Sequence, residues 1–179
     1  IEAEQGLLGA LLVNNEVYDK ISQLIHSSHF FDPVHQRIYE VAVEKISRNS
    51  LASPVTLKTY FQNDPGLKEL GGISYLAKLA ASAISLFAAV DYAKLICELA
   101  LRRNLINLGR EISEKALSID IEEGPEEQIA KAEFQLYNIA EKGTETTGFT
   151  PLLSASKKAI EIANKAYQQD GGISGISTG

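Results

Sequence analysis

His26, His29 and His35 crowd into ten positions, a residue type and density from which a zinc or other transition-metal site could be assembled. His26 and His29 fall in a loop pattern and His35 in a helical one, and no acidic or thiol fourth ligand stands at a suitable spacing. They are expected to be surface or boundary histidines. Glu122-Glu123 and Glu126-Glu127 have the composition of paired carboxylates for acid–base chemistry. They flank an exposed turn at Gly124-Pro125 where nothing would desolvate them, and Glu126-Glu127 read better as the acidic first turn of a helix. Cys97, the single cysteine, sits between Ile96 and Glu98 in a helical stretch and reads as a packed structural thiol. The run from Gly171 to Gly179 has the glycine content of a phosphate loop but lacks its lysine, and no GxGxxG turn follows a strand. No catalytic, cofactor-binding or metal-ligating set is therefore expected in these residues.

The bulk properties set the frame for that absence. A chain of 179 residues with 45% apolar content can bury one sizeable core. No window approaches the roughly 18 apolar residues that span a bilayer, and the first residues lack the order of a signal peptide, so a cytoplasmic, membrane-free protein is expected. The net charge of −6, with Lys and Arg scattered, argues against a main DNA-gripping surface and leaves only weak DNA contact. The chain contains no methionine, begins Ile1-Glu2-Ala3 and ends in a glycine-rich run that closes no element. It reads as a segment of a longer protein.

Helical periodicity accounts for nearly all of the rest, so the fold class expected is all-α. Helices are expected over Glu2 to Val13 and Glu16 to Ile25. Asp32-Pro33 and Ser53-Pro54 each pair an N-cap with a proline in the first turn and open two more. The first of these carries Val34, Ile38, Val41 and Ile46 inward. The second carries Leu57, Tyr60 and Phe61, and Asp64-Pro65-Gly66 is expected to end it. A further helix follows Gly71-Gly72, from Ile73 to Ala83. These elements form a compact head, residues 1–100.

A longer helical pattern runs from Ala89 to Ile119 and carries two apolar stripes. Tyr92, Leu95, Ile96 and Leu99 form one; Leu101, Leu105, Leu108, Ile112, Ala116 and Ile119 form the other. At about 100° per residue they face nearly opposite sides. The first must finish the head core, and the second needs another partner. Gly124-Pro125 turns the chain into a last helix with Ile129, Ala132, Leu136 and Ile139 or Ala140 inward, making an antiparallel hairpin over 101–142. A two-helix hairpin has too little core of its own. Its self-association surface is expected to comprise Leu105, Leu108, Ile112, Ile129, Phe134, Leu136 and Tyr137, with Phe134 and Tyr137 off the inner stripe. A flexible polar linker, 143–151, leads to a separate amphipathic helix over 152–170. That helix presents Leu152, Ala155, Ala159, Ile162, Ala163 and Tyr167 for docking in a groove elsewhere.

Taken together, several segments resemble the N-terminal region of the bacterial replicative DNA helicase, the DnaB family. They are Glu2-Ala3-Glu4-Gln5 with Leu7-Leu8-Gly9-Ala10-Leu11-Leu12, Phe30-Phe31 through His35 to Ile38-Tyr39, and Pro54-Val55-Thr56-Leu57. Leu70-Gly71-Gly72 with Tyr75-Leu76, Tyr92-Ala93 with Ile96, Leu101 to Ile106, Ala132-Glu133 with Leu136-Tyr137, and Gly175 to Gly179 complete the match. Gly6 departs from the pattern, since the family more often has alanine there, at a cost in helix stability of about 1 kcal/mol. The resemblance implies a helical head and a hairpin that pairs with a neighbour's, six copies forming a trimer-of-dimers collar. It implies a linker helix resting on the adjacent subunit's RecA-like ATPase domain, and residues 171–179 leading into that missing domain, where ATP and Mg would bind. It also implies docking of a DnaG-type primase and, for the parent protein, ATP-dependent 5′-to-3′ unwinding. No cofactor is expected in this segment. The rival reading is a stand-alone helical adaptor that binds another protein.

Overall fold

The computed structural model describes residues 1–118 and 124–144, with side chains as far as residue 140. Among the described residues all regular structure is helical: α1 (Glu2–Val13), α2 (Val17–Ile21), a single 3₁₀ turn (Ser27–His29), α3 (Pro33–Ser47), α4 (Pro54–Phe61), α5 (Pro65–Glu69), α6 (Ser74–Ala81), α7 (Ala89–Leu117) and α8 (Pro125–Thr144). The expected linker and the helix over 152–170 lie outside the described residues.

The head is built around α1. A helix apolar on all sides belongs in the middle of a core, and Leu7, Leu8, Ala10, Leu11 and Leu12 are all buried. α3, α6 and α7 pack on it from different sides. The approach of α6 is close enough to demand glycine: a methyl group at Gly9 would collide with the Leu79 carbonyl oxygen and lie 2.9 Å from the Ala83 nitrogen. Gly6 also serves packing, since a methyl there would meet Ile84 at 2.9 Å. At the end of α1, the Asn15 amide donates to the Leu11 and Ala52 carbonyls and its oxygen accepts from the Ala52 amide, pinning the chain just ahead of α4.

The cap-and-proline signals open helices as expected: Asp32 accepts from the Val34 amide and Ser53 from that of Thr56. Asp64-Pro65 corrects one expectation. The same signal, read as a stop, starts the five-residue α5, with Asp64 accepting from the Leu67 amide at 2.8 Å. Arg37 grips the same carboxylate with two nitrogens at 2.8 Å and holds its pKa below the usual range. Gly71 and Gly72, both at positive φ, make the turn into α6. α2 is shorter than expected and gives way to a turn after Ile21.

His35 is a further correction, being fully buried rather than a surface or boundary residue. Its Nδ1 donates to Glu4 Oε2 at 2.7 Å, and its Nε2 pairs with the Tyr75 hydroxyl at 2.8 Å, which also accepts from the Gln5 amide. The amides of Phe31 and Asp32 donate to the two oxygens of Glu4. Burial alone would raise the Glu4 carboxyl, but the His35 bond and these amides outweigh it and hold the group below its ordinary value. The carboxylate, imidazole and hydroxyl are ordered as in a hydrolase triad, yet all three groups are buried, so the set ties α1, α3 and α6 together.

Candidate functional site

α7 is long enough to serve two cores. Its N-terminal half faces the head with Ala89, Ala93, Ile96 and Ala100; of the expected Tyr92-Leu95-Ile96-Leu99 stripe Ile96 is buried and Tyr92 packs against the core, whereas Leu95 and Leu99 are 44% and 39% exposed. Small residues let the backbone of α7 lie close on the head, and the leucines are left outside. From this face to Leu108 is about a quarter-turn, so the two seams are adjacent and not opposite. Near the junction, the Cys97 thiol donates to the Leu24 carbonyl, with His29 Nδ1 at 3.3 Å, and burial pushes its pKa up to about 11. At that value it is no thiolate nucleophile. Arg103 donates to the His29 carbonyl and stacks over the Phe31 ring, 5.5 Å from its centroid.

The hairpin closes in an unexpected way. The α8 residues that gain cover are Gln128, Ala132, Gln135, Asn138 and Ile139, and Gln135 reaches across to Glu111 of α7. Of the stripe expected to face inward, Ala132 and Ile139 do so, whereas Ile129 and Leu136 are exposed. Leu108 is covered within the chain, at 5% exposure, and is the anchor of the hairpin. Leu105, Ile112 and Leu136 are exposed, and Ile129, Phe134 and Tyr137 stand at 60%, 65% and 63% exposure. Between the helices Ile112, Ala116, Ile129, Ala132, Leu136 and Pro125 line an apolar groove of about 310 Å³.

Large apolar side chains left exposed on a hairpin mark a surface that another protein covers. The fold has counterparts. The DnaB-like helicase N-terminal domain family matches residues 1–98. The chain belongs to that family. The replicative DNA helicases DnaB of Rickettsia typhi and Rickettsia conorii are 37% and 39% identical over the whole chain, which corresponds to 36% of the length of each. The replicative helicase DnaC of Bacillus subtilis is 27% identical, again over the whole chain. The chain thus spans about a third of the length of these relatives. Two solved structures share the fold. The N-terminal domain of DnaB helicase from Mycobacterium tuberculosis aligns with a TM-score of 0.69 at 24% identity, over 76% of this chain and 95% of its own. A DnaB-like replicative helicase, described with its interactions with primase, aligns at 0.61 and 22%, over 99% of this chain and 38% of its own.

The family match ends two residues short of Ala100, so in this DnaB-type domain it covers the head and the part of α7 that packs there. Among the described residues, no group of three or more His, Cys, Asp or Glu is placed to hold a metal ion, and no helix is long and apolar enough to cross a membrane. The linker-helix residues Leu152, Ala155, Ala159, Ile162, Ala163 and Tyr167 lie outside the described residues.

Proposed function

We propose that this chain is the non-enzymatic self-assembly and primase-docking domain of a hexameric replicative helicase, acting in the cytoplasm. The observation that carries the reading is the outward set of apolar side chains on α8, with Ile129, Phe134 and Tyr137 more than half exposed on a helix whose glutamines face its own partner. A single hairpin gives them no cover. A second hairpin laid across the groove would bury Ile129 and Leu136, with Tyr137 at its margin, and build a four-helix core, and pairs so formed are the units from which a ring of six is made. The proposal extends to the relatives' remaining length, where ATP and Mg would bind and unwinding would occur, and to a linker helix over 152–170 that docks on the adjacent subunit's ATPase domain. Interactions with primase are described for one of the two structural neighbours. That partner is carried over here as part of the proposal, with DNA touched only weakly.

Leu136 is the residue to test, because it lines the groove while staying exposed within the chain. Leu136→Asp would place an unpaired charge in the seam and weaken the dimer by roughly 30-fold or more, the order of 2 kcal/mol that a central interface residue carries. Light scattering on the purified chain reads the mass, and an L136D variant as fully dimeric as the wild type would count against the seam. A titration with cognate primase reaching concentrations on the order of tens of micromolar tests docking. Absence of binding there would favour a stand-alone adaptor.

A further inference from the structure

The exposed side of α7 about a quarter-turn from its head-facing side has a composition unlike the rest of this acidic chain. Of five arginines in 179 residues, three lie here, Arg102, Arg103 and Arg110, interleaved with Leu95, Leu99 and Ile106. All six fall within about a third of the helix circumference. The three apolar residues are 39% to 54% exposed. Arg102 pairs with Glu98 one turn back, and Arg103 is turned toward His29 and Phe31, so the charges flank an apolar stripe and do not form a continuous track for phosphates. Two copies of this face cannot pair with each other, because like-charged arginines would meet. The occupant must be acidic and apolar together.

The chain contains one segment of that chemistry. Positions 118–127 carry five carboxylates, Asp120, Glu122, Glu123, Glu126 and Glu127, with Ile119 and Ile121 among them and no basic residue. Glu127 is engaged by Lys131 of α8. Leu95 to Ile106 spans about 17 Å of helix, within the reach of the seven residues ahead of α8, roughly 23 Å when extended. We propose that the arginine-and-leucine face of α7 docks the acidic segment, residues 118–127, of a second copy. The contact rests on the self-assembly reading above and adds a second, head-to-tail interface to the hairpin seam. It is electrostatic where the seam is apolar, so the two respond oppositely to salt.

Sedimentation of the full 179-residue chain across a salt series tests this. The wild type is expected to exceed the dimer at low salt and to fall back to it as salt rises. Arg102→Glu with Arg110→Glu should stop at the dimer at every salt concentration, as should Glu122→Lys with Glu123→Lys. An equimolar mixture of the two variants should recover the larger species. The second variant lies on a different segment, which keeps the test informative if the first folds poorly by circular dichroism. L136D reads the seam separately, by removing the salt-resistant step alone. A wild type never larger than a dimer, reversal variants with unchanged mass, or a mixture that fails to recover would overturn the proposal. So would reversal that leaves the mass intact while lowering retention of labelled single-stranded oligothymidylate.

Discussion

At the scale of single residues, Glu4 ties elements of the head together, because His35 and two backbone amides converge on its carboxylate inside the core. Glu4→Ala would leave buried donors without an acceptor, a loss on the order of 3 kcal/mol that a urea midpoint would register. The pH dependence has a definite sign. The folded pKa of Glu4 is lowered, so its contribution is present above its unfolded value, near about 4.3, and is lost as pH falls through the folded value. Wild-type stability should therefore decline below about pH 4, and Glu4→Gln should start lower and decline less. Gly9 gives a second forecast: Gly9→Ala has no side chain to push aside, only the backbone of Leu79 and Ala83, and should cost about 1–3 kcal/mol or more by thermal melting. Neither role was legible in the sequence. His35 stands 31 positions from Glu4 and 40 from Tyr75, and no local pattern announces their meeting.

At the scale of elements, local signals are legible and tertiary choices are not. Asp32-Pro33 and Ser53-Pro54 state a helix start within a few residues, and the chain obeys them. Asp64-Pro65 states the same thing but is followed by glycine, and the five-residue helix it opens is too short to show a period. Periodicity misplaces the inner face of α7 because it weighs large apolar residues, whereas close helix contact selects small ones, and Ala89, Ala93 and Ala100 do the packing. The same bias puts Ile129 and Leu136 inside the hairpin where Gln128 and Gln135 sit. Leu108 then carries the internal contact of the hairpin. Leu108→Ala should weaken it by about 2–3 kcal/mol, seen as faster amide exchange across α8 while amides of α1 and α3 keep their protection.

At the scale of the whole molecule, the two surfaces on α7 and α8 would, in the proposed assembly, divide the work by chemistry. The seam of Ile129, Leu136 and Tyr137 is apolar, so its dimer should hold or tighten as salt rises. Ile129→Ser should loosen that dimer by about tenfold, close to 1.4 kcal/mol, without changing the melting temperature of the head. What joins these surfaces is the 29-residue α7, rooted among Ala89, Ala93 and Ile96 and extending beyond Leu108. At 1.5 Å per residue it is a strut of about 43 Å, unbroken by proline along its length. A pivot of only about five degrees at its rooted end would swing the far end by roughly 4 Å, so α7 is built as a lever arm, and in the proposed assembly whatever rotates one globule would displace the tip that its neighbour holds.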